Sequence, residues 1–194
     1  IKNTFGEMRA ADYLLKLREY ARETAGIEAA LKFVESNKQT LEQYCGFLTH
    51  WDFTPQNIRV HGGKIYLLDH SSLRFGNKYE GWARFVNFME LYNPALARAL
   101  VQYVKDNRTP EESLALKVMR AYRLAELMRY YTGWLPRTTE NLHKLAEARI
   151  AFWKNILQAV LDDKEVSPSL VEEYKKTRDS LRSEEEKQRQ QGLH

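Results

Sequence analysis

Residues 48–69 read Leu48-Thr49-His50-Trp51-Asp52-Phe53-Thr54-Pro55-Gln56-Asn57, then Ile58-Arg59-Val60-His61-Gly62-Gly63-Lys64-Ile65-Tyr66-Leu67-Leu68-Asp69. Two β-prone runs, Asn57–Val60 and Lys64–Leu68, flank His61-Gly62-Gly63, and a Gly pair supplies the positive φ angles that a tight hairpin needs. The second run is apolar almost throughout, the pattern of a strand buried on both faces. No other stretch of the chain carries a persuasive strand signal. Asp52 and Asn57 stand five residues apart on a Pro-containing loop, and Asp69 follows Asn57 by twelve, at the end of the second run. A hairpin folding back on itself brings its two ends together and delivers Asn57 and Asp69 to one place.

Outward from this hairpin the chain reads as helix. Met8 to Glu23 sets Met8, Ala11, Leu14, Leu15 and Leu17 at mixed three- and four-residue spacings, and Gly26 breaks the pattern. A second helical stretch, about Glu28 to Tyr44, carries Leu31, Val34, Leu41 and Tyr44, with Ser36-Asn37 weakening its middle. After about residue 80 the pattern is helical again. Thr109-Pro110-Glu111-Glu112 is a start signal, with Thr as N-cap, Pro at the first helical position and Glu three residues after the cap. The helix it opens aligns Leu114, Val118, Ala121, Tyr122, Ala125 and Met128 on one face. Beyond the linker Gly133-Trp134-Leu135-Pro136, another helix runs from about Thr139 to Leu161. Ser167-Pro168 opens a last one, which fades into Ser183–Arg189, a run with almost nothing to bury. The expected architecture is mainly α with a small β-hairpin: residues 1–165 as one body, and 166–194 as a charged C-terminal helix and tail.

Composition narrows the classes of function. At 194 residues and 43% apolar, the chain suffices for one well-buried core. No window approaches a membrane span. The net charge is +4, but the basic residues are interleaved with nearly as many acids, which argues against a nucleic-acid footprint. Cys45 is the only cysteine, so an intrachain disulfide is excluded and a reducing cytoplasm is the expected compartment. The opening Ile1-Lys2-Asn3-Thr4-Phe5-Gly6 is neither a signal peptide nor an initiator methionine, and reads as part of something longer.

Taken separately, each polar residue of the loop has a plain structural role: an Asp caps a helix, an Asn turns the chain, a His sits satisfied in a core. Together they suit phosphoryl transfer. That chemistry needs one carboxylate to accept or orient the proton of an attacking hydroxyl, and two oxygen ligands to hold Mg²⁺ against a triphosphate. His50-x-Asp52-x-x-x-x-Asn57 has the spacing of the protein-kinase catalytic loop, and a strand ending in a metal-binding Asp is its partner motif. The wording of this chain, with Pro55-Gln56-Asn57 and then Ile65-Tyr66-Leu67-Leu68-Asp69, most resembles the aminoglycoside phosphotransferase superfamily, which also holds choline, homoserine and fructosamine kinases. The resemblance covers residues 47–84. It implies a protein-kinase-like C-lobe in which Asp52 is the catalytic base or hydroxyl-orienting group. Asn57 and Asp69 would then be the Mg²⁺ ligands that hold Mg²⁺–ATP, with His50 bracing the loop.

The chain departs from that family at several points. Trp51 stands where Gly is usual, and His70-Ser71-Ser72 follows Asp69 in place of an aromatic and an acidic residue. Phe75-Gly76-Asn77-Lys78-Tyr79-Glu80-Gly81 resembles the family's Gly-Asp-Pro-x-x-Asp stretch with both acids changed, and the acid replaced by Gly81 normally helps to fix the loop. No Gly-x-Gly-x-x-Gly loop and no strand-borne Lys can be assigned, so the ATP-covering N-lobe is absent from these residues and would be met in cis or in trans, or its open surface by self-association. The alternative reading is a catalytically silent kinase-like scaffolding domain. The acceptor is expected to be a small-molecule hydroxyl. Glu80, Glu90, Glu111, Glu112, Glu126 and Glu140 would suit a cationic acceptor, but each reads as an exposed helix residue. Trp82, Tyr92, Trp134 and Trp153 would suit a choline-like cation, but read mostly as core.

Overall fold

In the computed structural model, which describes residues 5–184, helices dominate and two small antiparallel sheets interrupt them. Three helices come first: α1 (Ala10–Glu23), α2 (Glu28–Ser36) and α3 (Lys38–Gln43). Strands β1 (Phe47–His50), β2 (Ile58–His61), β3 (Lys64–Leu67) and β4 (Leu73–Gly76) follow. Helices α4 (Glu80–Tyr92), α5 (Pro94–Asn107), α6 (Pro110–Thr132), α7 (Glu140–Leu161) and α8 (Pro168–Leu181) complete the described chain.

Helix α6 is the centre of the body. Residues Leu116, Val118, Met119, Ala121, Tyr122, Leu124 and Ala125 are all buried, so it is covered on every side, as a central helix must be. α1 lays Tyr13, Leu14 and Leu17 against it, and the rings of Tyr13 and Tyr122 meet edge-on with centroids 5.0 Å apart. Ala11 and Leu15 of α1 face solvent instead. The start of α6 is the box that the sequence signals: Thr109 Oγ1 accepts from the Glu112 amide at 3.2 Å, and the Thr109 amide donates to Glu112 Oε2 at 3.3 Å. α8 closes over α7, with Val171 and Tyr174 buried and the Tyr174 ring stacked on Phe152 at 4.3 Å. The end of the charged tail expected through Arg189 lies outside the described residues. Among the described residues no helix is long and apolar enough to cross a membrane.

Three expectations need correction. The stretch from Glu28 to Tyr44 is two helices, because Asn37 donates its side-chain amide to the Phe33 carbonyl at 2.7 Å and ends α2 there. A second sheet exists beside the hairpin: β1 pairs antiparallel with β4, Phe47 opposite Gly76 and His50 opposite Leu73. The whole β2–β3 hairpin is inserted between these partners. The hairpin itself forms as expected, Ile58 opposite Leu67 and His61 opposite Lys64, with Gly62 (φ 56°) and Gly63 (φ 74°) as the two-residue turn. Its apolar strand is not buried on both faces, however. Ile65 is 76% and Tyr66 46% exposed, because the hairpin is a two-stranded sheet without a layer over either face.

A candidate catalytic loop braced by helix α4

The loop that leaves β1 is held from three directions. His50, buried at the end of β1, donates from Nε2 to the Leu68 carbonyl at 2.9 Å, which ties the start of the loop to the end of the hairpin. Since a carbonyl only accepts, Nε2 carries the proton, and the buried Nδ1 is left as an acceptor without a partner among the described residues. The Asn57 side-chain amide reaches back to the Asp52 carbonyl at 2.9 Å and to Asp52 Oδ2 at 3.2 Å. Arg84, on α4, donates from Nε to Asp52 Oδ1 at 3.0 Å. Both carboxylate oxygens of Asp52 are therefore oriented, and the side chain remains 29% exposed.

The hairpin then fixes the relation between Asn57 and Asp69. The Leu68 amide donates to the Asn57 carbonyl at 2.8 Å, extending the ladder one step beyond β2–β3, so Asn57 lies beside the residue that precedes Asp69. With its amide nitrogen committed to Asp52, Asn57 keeps a side-chain carbonyl that makes no hydrogen bond among the described residues. Asp69 sits in the left-handed region (φ 57°, ψ 64°), an uncommon conformation for a non-glycine residue that costs about 1–3 kcal/mol unless its surroundings impose it. Its carboxylate accepts from the hydroxyls of Ser71 and Ser72, and these two bonds hold it below the usual carboxylate range. An amide oxygen and an anionic carboxylate are hard donors of the kind Mg²⁺ takes, usually one or two from protein with water and phosphate completing the shell. Asn57 and Asp69 carry donors of that kind. Among the described residues no three His, Cys, Asp or Glu side chains gather into a metal-binding group.

Two features that hold the loop escaped the sequence reading. Gly81 lets the helix touch the loop: a Cβ there would lie 2.8 Å from the His50 carbonyl oxygen and 3.2 Å from Phe53 Cβ. Arg84, one helical turn further on the same face, is the group that close approach places on Asp52. The i, i+3 spacing from the glycine was the available signal. Trp51 is the other feature. Two guanidinium groups approach its ring, Arg74 at 5.7 Å and Arg123 at 5.6 Å from the centroid, so Trp51 anchors the loop by cation–π contact.

The expectation that the glutamates are exposed fails for Glu80 and Glu90. Glu80 is fully buried, accepts from Tyr13 Oη at 2.9 Å and Arg74 Nε at 3.2 Å, and has Arg123 3.8 Å away. Glu90 is buried against Arg120, whose terminal nitrogen donates to it at 2.6 Å while Arg120 Nε donates to Asn87 at 3.0 Å. Buried glutamates survive only with such partners, and Tyr13, Arg120 and Arg123 come from distant parts of the chain. The aromatics err in the opposite direction. Trp153 is core, but Trp82, Tyr92 and Trp134 are 37%, 40% and 43% exposed, each paired with a neighbouring ring on the helix surface. A larger cleft of about 800 Å³, lined by α5, α6 and residues 159–166, shares no residue with the loop or the hairpin.

No family model, no curated protein and no solved structure matched this chain.

Proposed function

We propose that this chain is the catalytic lobe of an ATP-dependent phosphotransferase of the aminoglycoside phosphotransferase and choline kinase type, acting on a hydroxyl of a small molecule. The observation that carries the reading is the joint constraint on Asp52. Arg84 takes one carboxylate oxygen and Asn57 the other, while the Asn57 backbone is laced to the strand that ends at Asp69. A carboxylate fixed on both oxygens and still partly exposed is suited to receive a hydroxyl, since each oxygen retains a second lone pair.

In the reaction the acceptor oxygen forms a bond to the γ-phosphorus, the bond to the bridging oxygen of ADP breaks, and Asp52 takes up the hydroxyl proton. Asn57 and Asp69 are the residues that would hold Mg²⁺, which supplies charge neutralisation on the phosphates. His50 sets the distance between loop and hairpin. The exposed apolar side chains Val60, Ile65, Tyr66 and Leu68 lie on the hairpin that an ATP-covering lobe, in cis or in trans, would meet.

The test is metal binding by the chain itself. Mn²⁺, as a paramagnetic stand-in for Mg²⁺, is expected to broaden the backbone amide signals of Asn57, Leu68 and Asp69 first, and Asp69→Ala to abolish that selectivity. Broadening centred elsewhere, or unchanged in Asp69→Ala, contradicts the assignment. ATP added with Mg²⁺ should bind weakly, because two ligands on one metal hold only the phosphates.

A further inference from the structure

Behind the loop, α4, α6, α7 and α8 enclose a second cleft of about 100 Å³. Arg84, Arg123, Arg149, Arg178 and Arg182 line it, and among the described residues its lining includes no carboxylate. Their acidic neighbours approach from outside the lining: Asp52 on Arg84, Glu126 and Glu80 near Arg123, and Asp179 on Arg178. Arg149 has no ion-pair partner among the described residues, and its guanidinium lies over the Tyr131 ring at 5.1 Å.

Arg123 shows what the cleft lacks. Its side chain is only 4% exposed and Nε makes no hydrogen bond, while one terminal nitrogen is paired with Glu126 at 2.5 Å and has Glu80 at 3.8 Å. A buried guanidinium N–H without an acceptor is costly and uncommon in native structures, and a bound acceptor would satisfy it. The crowding is felt by Arg182 too: burial, then the charges of Arg178 and Arg149, push its pKa down from the ordinary arginine value.

We propose that this cleft is an oxyanion site that seats the phosphate group of a small phosphorylated alcohol, the acceptor of the transfer. Guanidinium forks match phosphate oxygens in pairs, which a compact ammonium does not. A volume of about 100 Å³ leaves room for a phosphate group. Two of its arginines also grip the catalytic loop: Arg84 holds Asp52 at 3.0 Å, and Arg123 lies over Trp51 at 5.6 Å. Arg84 thus connects the cleft directly to Asp52. A cationic acceptor would be repelled here, and Glu80, Glu90 and Glu126, the acids that might have attracted one, are committed to arginines. The assignment of the bound compound as acceptor rests on the phosphotransferase reading, whereas the anion site does not.

Calorimetric titration of the full chain at low salt, without Mg²⁺ or ATP, tests the site. Glycerol 3-phosphate and inorganic phosphate are expected to bind, and glycerol to give no heat. Arg149→Gln should weaken phosphate binding at least tenfold, and Lys105→Gln, in the larger cleft, should leave it unchanged. If Arg149→Gln fails to fold, the ¹⁵N signals of the arginine Nε–H groups in the native chain decide: phosphate must move those of Arg123 and Arg149. Equal affinity in Arg149→Gln, or saturation with phosphate that shifts neither signal, overturns the proposal. Binding of glycerate without glycerol 3-phosphate overturns the phosphate assignment. Because nothing in the titration requires metal, its failure and a failure of metal binding at Asn57 and Asp69 are read separately.

Discussion

A Cβ on Gly81 would stand 2.8 Å from the carbonyl oxygen of His50, closer than any side chain can be accommodated without movement. The atom in the way is backbone, so the helix or the loop must shift. Elsewhere in a helix, replacing Gly by Ala stabilises by about 1 kcal/mol. Here Gly81→Ala is expected to destabilise by about 1–3 kcal/mol, the usual range for overpacking, as read from urea denaturation. A more stable Gly81→Ala chain would show that α4 does not press on the loop.

Glu80 is the point at which α1, β4 and α6 are joined by charge. Removing its carboxylate leaves Arg74 and Arg123, whose side chains are 17% and 4% exposed, facing each other without their shared counter-charge. Breaking a buried pair in this way costs about 3–5 kcal/mol, a large share of the 5–15 kcal/mol by which domains of this kind are stable. Glu80→Ala is therefore expected to abolish cooperative unfolding or lower its midpoint sharply. Tyr13→Phe removes one bond to the same carboxylate, and is expected to cost only about 1 kcal/mol.

The capping box at the start of α6 carries a pH dependence. Glu112 accepts from Lys78 Nζ at 2.6 Å and Tyr79 Oη at 2.6 Å, and these bonds lower its pKa from 4.5 to about 2. A depressed carboxylate adds stability that is complete above its unfolded-state pKa and is lost as pH falls toward the folded-state value. The stability difference between the native chain and Glu112→Gln should thus be constant above about pH 5 and shrink steadily down to about pH 2. Unfolding curves of both chains across that window check it, and a parallel acid limb in the two would contradict it.

These positions also mark how far the sequence could be read. Thr109 and Glu112 are three residues apart, and Gly62 and Gly63 are adjacent, so the box and the turn were both visible locally. Glu80 looked like any surface glutamate because Tyr13 lies 67 residues before it and Arg123 43 after it. The β1–β4 pair was hidden for a related reason: its two short strands are separated by the loop and the hairpin, and neither carries a turn signal pointing to the other. The apolar run Ile65–Leu68 misled in the opposite way, since periodicity records which side chains are apolar and not whether anything covers them. At the candidate site, His50, Asp52, Asn57 and Asp69 were legible as a spacing. Arg84 and the arginines behind it were not, because they come from four helices.

The hairpin separates the effect of its turn from that of its apolar face, and the two can be measured against each other. Gly62 and Gly63 hold φ angles of 56° and 74°, which a β-branched residue adopts only with strain of about 1–3 kcal/mol. Ile65, by contrast, is 76% exposed, and a change to Thr keeps a β-branched residue in the strand and removes little buried surface. The amide of Leu68, bonded to the Asn57 carbonyl at 2.8 Å, reports how firmly the two ends of the hairpin are joined. Gly63→Val is expected to speed hydrogen exchange at that amide by about five- to 150-fold, the rate equivalent of such strain, and Ile65→Thr to change it less than about threefold. Global unfolding should move little in either variant, since neither residue belongs to the helical core. If Ile65→Thr frees the Leu68 amide as much as Gly63→Val does, cross-strand apolar contact, and not the turn, holds Asn57 beside Asp69.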